Sequence, residues 1–370
     1  MSRKTMTLVR ATALLGVAGV LAACGSTSSS SAAGGSSAAA GSAAASPASG
    51  KPLANYRPDG SPTDTSAWKD FTFTLGDNGG DGTQELAKLS GVFDNAPYTV
   101  KFARFTYGPP LIQAAASGNI DLGSVGDVPP ITGAAKEYGF KIVAVAKSLH
   151  PDQPAENIIV PKGSSVQTLA DLKGKKIAVP QGSSAHGLVL NALKSVGLSL
   201  KDVEITYLPP AAGATAFASG KVDAWAIWNP QSALAVAKGA RIVAKGLPPI
   251  DQTSNYYVAS DKSLSDPVRR AALIDALQRV AAEFAWGVAN PDQYAQAIAT
   301  ETGITVADAK TSLEAQQTRV TAVEQSDREA EQQLADAFLG AGEITKKVDV
   351  STIVDSILPV DFDSSNLTLG

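Results

Sequence analysis

The sequence predicts an α/β protein made of two matching lobes, and three observations carry that prediction. Short apolar strands alternate with short helices from about residue 71 to about residue 262, an order that points to parallel sheets covered by helices. A block of strand, small-residue turn, helix, strand, helix and strand occurs once from residue 71 and again from residue 175. Within the two blocks, AAASGNIDLGSVGD (114–127) and AFASGKVDAWAIWN (216–229) align without a gap. Each has a small-residue helix stopping at Ser-Gly, a one-residue step to Ile or Val, and an Asp before a buried strand. The distance from first turn to that glycine is 42 positions in one copy (76 to 118) and 40 in the other (180 to 220).

Taken in order, the chain opens on a leader. Arg3, Lys4 and Arg10 precede the apolar run ATALLGVAGVLAA, which is too short to span a bilayer. The run stops at Leu21-Ala22-Ala23-Cys24, which resembles a bacterial lipobox. That resemblance implies removal of residues 1–23 and lipidation of Cys24, with the protein anchored to the cell membrane on its extracytoplasmic (periplasmic or extracellular) face. Cys24 is the single cysteine of the chain, so it has no disulfide partner within it and no cysteine metal cluster to join. Residues 24–67, dominated by Ser, Ala and Gly and ending in a Pro-containing segment, are expected to form a flexible tether. Such a coil reaches on the order of 35 Å, from roughly 5–6 Å times the square root of its length.

The first lobe starts with FTFTLGDNGGDGTQELAKLSGVF (71–93), an alternating strand, a Gly-rich turn and a short helix closed by Gly91. TVKFARFT (99–106) is the second strand, YGPP opens a helix over Leu111-Ile112 and Ala114–Ala116, and IDLGSV is the third strand. In the second lobe, KKIAVPQGSSAHGLVLNALKSVGL repeats strand, turn, helix and closing glycine; VEITYL, PPAAGATAFASG and KVDAWAIW complete the unit. The lobes are expected at 68–157 with 255–370, and at 158–254. AVAKSLHPDQPAENIIVPKGSS and DQTSNYYVAS join them as two extended hinge crossings. Beyond residue 262 the chain reads as helical. Asp266 and Pro267 start a helix whose apolar face is Leu277, Val280, Phe284 and Val288, and Gln/Glu-rich helices follow to about residue 338.

In parallel α/β sheets ligands sit beyond the carboxyl ends of the strands. Here those ends are the turns 76–80, 124–128, 180–184 and 228–230. If the lobes face each other, all four line one cleft. PQGSSAHG (180–187) has two readings by itself: Ser183 or Ser184 caps the following helix, or the uncovered helix start receives an anion.

The strings YGPPLIQAAASGNIDLGSVGDVPPI (107–131), LADLKGKKIAVPQGSSAHGLVLNAL (169–193), YLPPAAGATAFASGKVDAWAIWNP (207–230) and KKVDVSTIV (346–354) resemble the solute-binding proteins of ABC importers for aliphatic sulfonates. The wider group also serves taurine, nitrate and pyrimidine precursors. The resemblance covers about residues 70–355. It implies a type II periplasmic-binding-protein fold whose cleft closes on a small organic anion, an alkanesulfonate foremost, for delivery to an ABC permease and its ATPase. It places the donors at Asn78 and Gly79, at Ser124, Val125, Gly126 and Asp127, at Gly182, Ser183 and Ser184, and at Trp228 and Asn229. Asp127 either caps the next helix or orients the ligand or a serine. His186 is expected to partner an Asp or solvent, Trp228 to form an apolar wall and Trp225 to be core, while Tyr107 and Tyr256 are lesser candidates. Related sequences often carry an acid at position 229; Asn229 argues for an uncharged ligand tail.

Other classes fit less well. The net charge is −4, and the basic leader leaves −7 on the remainder, against nucleic-acid binding. Ser183 and His186 do not form a Gly-x-Ser-x-Gly elbow, no acid is placed to orient the histidine, and two histidines are too few for a histidine metal site. The expectation is a monomeric binding protein without cofactor, metal or catalytic residues. The alternatives are another ligand of that wider group, including a thiamine precursor, or a sensing lipoprotein that feeds no transporter.

Overall fold

Strand hydrogen bonding divides the chain into two sheets. The computed structural model describes residues 51–369; Cys24, the leader and the first part of the expected tether lie outside the described residues. The first half of the repeat runs β1 (Thr72–Asp77), α1 (Thr83–Ser90), β2 (Thr99–Arg104), α2 (Gly108–Ala116), β3 (Leu122–Val125), α3 (Val128–Ala134) and β4 (Phe140–Ser148). The chain then crosses to β5 (Glu156–Val160), β6 (Lys176–Val179), α4 (Ser184–Ser195), β7 (Glu204–Tyr207), α5 (Pro210–Ala218), β8 (Ala224–Trp228), α6 (Gln231–Ala237) and β9 (Arg241–Lys245). It returns as β10 (Ser254–Ser260) and continues through α7 (Asp261–Ser265), α8 (Pro267–Ala289), α9 (Pro291–Thr302), α10 (Val306–Lys310), β11 (Thr318–Thr321) and α11 (Gln325–Ala341). The six-stranded sheet has the order β11-β4-β10-β3-β1-β2 and the five-stranded sheet β7-β6-β8-β5-β9.

The internal repeat extends to single hydrogen bonds. Ser117 and Ser219 end α2 and α5. Gly118 and Gly220 follow at φ 66° and 67°, where a Cβ is penalised. The shared aspartate then does the same work twice: Asp121 accepts from the Thr74 amide at 2.7 Å and Asp223 from the Lys176 amide at 2.8 Å. Each carboxylate thereby ties the third strand of its unit to the start of the first.

Neither sheet is wholly parallel, contrary to the simplest reading of the element order. β1 pairs in parallel with β2 and β3, and β6 with β7 and β8. β10 and β5, the first strands after each crossing, run antiparallel to β3 and β8. A chain arriving from the facing sheet enters at the carboxyl end of the parallel strands and so runs back along them. β11 is a further departure, an edge strand antiparallel to β4 inside the segment expected to be helical.

Alternate strand residues feed separate cores. Phe73, Leu75, Val143 and Tyr257 pack with α8 and α9 on one side of the first sheet; Val125, Ile142, Val145 and Val258 pack with α11 on the other. In the second sheet Ile158, Ile177, Val179 and Ala226 face α4, and Ile159, Ala178, Trp225 and Ile227 face Phe217 of α5, which makes Trp225 core as expected. α8 begins as the sequence indicates, with Asp266 accepting from the Val268 and Arg269 amides. No helix of the described residues is long and apolar enough to cross a membrane.

The expected tether is wrong for its last part. Leu53 is buried, and the backbone carbonyl of Tyr56 accepts from Arg279 Nη1 at 3.0 Å. Ser61 Oγ donates to Asp275 Oδ2, whose Oδ1 receives Tyr98 OH and Arg279 Nε. Low hydrophobicity predicts disorder only when no partner is on offer. Here the segment adds partners to a buried Asp275–Arg279 pair that Tyr98, Val92 and Asn95 also hold.

Candidate functional site

The carboxyl ends of the parallel strands of both sheets meet at one cleft with a cavity volume of about 140 Å³. The first sheet lines it with Asn78 and Gly79 beyond β1 and with Ser124, Gly126 and Asp127 around the end of β3. The second lines it with Ser183 and Ser184 at the start of α4 and with Trp228 and Asn229 at the end of β8. Two of the expected positions stand apart. Val125 alternates with Ser124 and points into the core, fully buried. Gly182, at φ 71°, backs onto Pro109 and Thr132 rather than the cleft. Its glycine serves the turn.

The two sides touch. A Cβ on Gly126 would lie 2.8 Å from Ser184 Cβ, and one on Gly187 2.8 Å from Val128 Cγ2. Glycine is required at both places because the start of α4 comes directly against the β3–α3 corner.

The serine hydroxyls are not the free donors the sequence suggests. Ser183 Oγ donates to the Pro180 carbonyl at 2.7 Å, and Ser184 Oγ to Glu156 Oε2 at 2.7 Å. Ser183 sits at the N-cap position of α4 but makes no side-chain cap bond. The Ser183 carbonyl accepts the His186 and Gly187 amides, leaving those of Ser184 and Ala185 without an intrahelical acceptor. The open donors are thus backbone rather than hydroxyl groups.

Asp127 is a cap. Its Oδ1 accepts from the Val128 amide at 2.8 Å, where the helix starts. Asn229, its counterpart in the repeat, donates to the Pro154 carbonyl and accepts from the Ala233 amide at the start of α6. His186 is buried against Tyr207 OH at 3.2 Å and Glu343 Oε2 at 3.6 Å, so its carboxylate partner is a glutamate across the lobes rather than an aspartate or solvent. Burial holds its pKa below the ordinary value, opposed by the Glu343 charge. Tyr107 lies at the N-cap of α2 and Tyr256 is buried in the core; neither lines the cleft.

The cleft is more acidic than the sequence reading allowed. Asp81, Asp127, Glu156 and Asp251 line it, and among the described residues no Lys, Arg or His does. Asn229 therefore does not leave the site without carboxylates, and the inference of an uncharged ligand tail loses its basis. Burial raises the pKa of both Asp127 and Glu156 well above the carboxylate range, reinforced in each case by Asp251. Glu156 is 4% exposed, and among the described residues its Oε1 has no partner at hydrogen-bond geometry. Asp81 is pushed up to about 6, by burial first and Asp77 second. The missed acids had a signal: Asp81 shares its Gly-rich turn with Asn78, and Glu156 and Asp251 lie where the two crossings pass between the lobes.

A family model described as NMT1/THI5 like matches residues 101–294, more than half of the chain. The chain belongs to the NMT1/THI5-like family. Among relatives of this NMT1/THI5-like protein is one from Escherichia coli (strain K12) named for aliphatic sulfonates binding, 43% identical over 162 residues, 44% of this chain and 50% of the relative. The taurine-binding periplasmic protein of the same organism is 33% identical over 145 residues, 39% of this chain and 42% of that one. The chain thus spans about half the length of the curated relatives it matches. Solved structures align further. The alkanesulfonate-binding protein SsuA from Xanthomonas axonopodis pv. citri, bound to MOPS, shares 30% identity with a TM-score of 0.71, covering 77% of this chain and 98% of that one. These likenesses establish the periplasmic-binding-protein fold expected from the sequence. The desulfurization enzyme DSZB shares that fold at 16% identity and a TM-score of 0.55, so fold alone does not separate binding from catalysis.

Proposed function

We propose that this NMT1/THI5-like protein is the extracytoplasmic solute-binding component of an ABC importer, and that its solute is a small aliphatic sulfonate. One observation carries the reading: the amide-bearing start of α4 faces Ser124, Gly126 and Asp127 of the other lobe across a cleft that, among the described residues, no basic side chain lines. A sulfonate is permanently charged and spreads that charge over three equivalent oxygens. It suits a site of partial positive charges at a helix start. Glu156 fits the same head group: burial and the Asp251 charge raise its pKa well above the ordinary value, which disfavours its charged form beside an anion, and Ser184 Oγ donates to its Oε2. Trp228 supplies apolar surface for a short tail. The likeness to alkanesulfonate-binding structures supports the class.

The carboxylates favour a second, narrower reading, a sulfonate that also bears an ammonium group. Four acids without a base repel a simple anion unless they are protonated, and an amine relieves them directly.

In the proposed cycle, Cys24 carries a lipid that keeps the protein at the membrane, the two crossings act as hinges, and the closed form docks on a permease. Calorimetry with ethanesulfonate, butanesulfonate, taurine, nitrate, sulfate and pyrimidines tests the solute. At least one sulfonate should bind and, at a hundredfold excess over Kd, stabilise the fold by about 2.7 kcal/mol. Taurine binding more tightly than ethanesulfonate supports the narrower reading; binding of another class alone rejects both. Cys24→Ser should move the protein from the membrane fraction to the medium or periplasm, and unchanged membrane retention rejects the anchor.

A further inference from the structure

Behind the Asn78–Gly79 wall of the cleft lies a group of carboxylates of which only Asp81 lines the solute cleft. Asp77, at the end of β1, Asp81, in the glycine turn, and Glu301, in α9, each present a carboxylate oxygen within 4.8 Å of the others. Each also has an oxygen fixed by backbone or hydroxyl donors of that turn. Gly79 N donates to Asp77 Oδ1 at 2.8 Å, Gly80 N to Glu301 Oε1 at 2.7 Å, and Thr83 Oγ1 to Asp81 Oδ1 at 2.7 Å. Asp77 Oδ2 and Glu301 Oε2 are left buried with no partner.

A fourth acid comes from another element. Glu283 of α8 is fully buried, neither of its oxygens has a partner, and the charges that bear on it are those of Asp81, Asp77 and Glu301. Among the described residues, the one base within ion-pair range of any of the four is Arg104, 3.7 Å from Glu301 and itself half exposed. Three carboxylates held together from separate elements, two of them buried with an oxygen that has no partner among the described residues and a fourth buried acid in their field, are incomplete as a structural network. A buried carboxylate without a counter-charge costs more than its ordinary hydrogen bonds return.

We infer that Asp77, Asp81 and Glu301 form a binding site for a hard divalent cation, calcium foremost, with the Glu283 carboxyl adding negative charge to it. The donor set is all oxygen, which selects calcium or magnesium over metals that prefer nitrogen or sulfur. Calcium takes about 6–8 oxygens at about 2.3–2.6 Å and accepts irregular geometry, which carboxylates pinned at one oxygen each can supply together with water. The site is reached from the cleft, because Gly80 and Asp81 line it. A bound cation also braces the glycine turn that carries Asn78 and Gly79, so it ties the rigidity of one cleft wall to cation supply. The inference does not rest on the sulfonate reading, since the cation is measured with no solute present.

The test uses the full chain, stripped with EDTA, with CaCl2, MgCl2 and ZnCl2 as separate probes in calorimetry and thermal unfolding. Calcium is expected to bind one per chain, with a Kd at or below about 10⁻³ M, the weak end for extracytoplasmic calcium modules, and to raise the melting temperature. Terbium should be sensitised by Tyr257 and Tyr294, which share the field of Asp81 and Glu283, and calcium should quench that emission. Asp81→Asn should weaken calcium binding about tenfold or more. Glu283→Gln should also weaken it while leaving the metal-free melting temperature equal or higher, because it removes a buried acid whose oxygens have no partner among the described residues; this variant separates lost binding from lost folding. No calcium binding overturns the inference. So does a calcium response that persists unchanged in both variants, or a preference for zinc over calcium.

Discussion

Replacing Gly126 by alanine should weaken solute binding without unfolding the protein. The added methyl would sit 2.8 Å from Ser184 Cβ and 3.1 Å from Ser184 Oγ. Ser184 cannot swing aside freely, because its hydroxyl is held by Glu156 at 2.7 Å. Overpacking of this kind costs about 1–3 kcal/mol. Gly126 belongs to the first sheet's corner and Ser184 to α4 of the other lobe, so the penalty exists only while the lobes are together. In the proposed cycle, opening at the crossings removes it. The full cost then falls on the closed, solute-bound form and appears as a loss of affinity of about 5- to 150-fold. Calorimetry with the tightest sulfonate measures that loss, and thermal unfolding of the solute-free protein should change little. Gly340→Ala is the control: it lies in α11 with open space around it, so affinity should hold and stability rise by about 0.5–1 kcal/mol. Unaltered affinity in Gly126→Ala would refute the argument. A drop in solute-free stability as large as the drop in affinity would do so too, since it would mean that the corner is packed in every state.

Ser183→Ala should leave affinity within about threefold, because the hydroxyl is turned to the Pro180 carbonyl and the α4 amides remain; a loss of tenfold or more in calorimetry would show that the hydroxyl grips the solute. Leu53→Ala should destabilise the fold by about 2–5 kcal/mol, and Arg279→Met by about 3–5 kcal/mol, in denaturant titrations. A neutral Leu53→Ala would return residues 51–67 to the status of a tether. Glu331 is buried with no partner at hydrogen-bond geometry among the described residues, and its pKa is raised well above the usual value by burial and then by Asp127. A raised folded pKa contributes stability that is present below the unfolded value and is lost as pH rises through the folded one. Melting temperature should therefore climb as pH falls from about 8 towards 5, and Glu331→Gln should flatten that slope. His186, whose pKa is lowered, opposes the trend only below its ordinary value of 6.5. A melting temperature that falls throughout that range would contradict the assignment.

The two-lobed architecture was legible because its signals are local and repeated. Ser-Gly stops at 117–118 and 219–220, an Asp three residues beyond each glycine and small residues at the strand ends occur twice in register. Chain-level chemistry alone dictates them: glycine where φ is positive, aspartate where a strand start needs an acceptor, small side chains where two corners come together. Nine of the positions chosen from those turns, from Asn78 to Asn229, border one cleft. What the sequence could not decide is direction and pairing. Whether Ser184 Oγ meets a ligand or Glu156 depends on a residue 28 positions away in another strand. Whether residues 51–67 are loose depends on Arg279, more than two hundred positions further on. The acidity of the cleft has the same origin. Asp81, Glu156 and Asp251 are unremarkable one by one along the chain, and only the meeting of two crossings with a glycine turn concentrates their charge in one low-dielectric place. Local backbone preference sets the elements; the partners of each polar group are set by what folding brings within 3 Å of it.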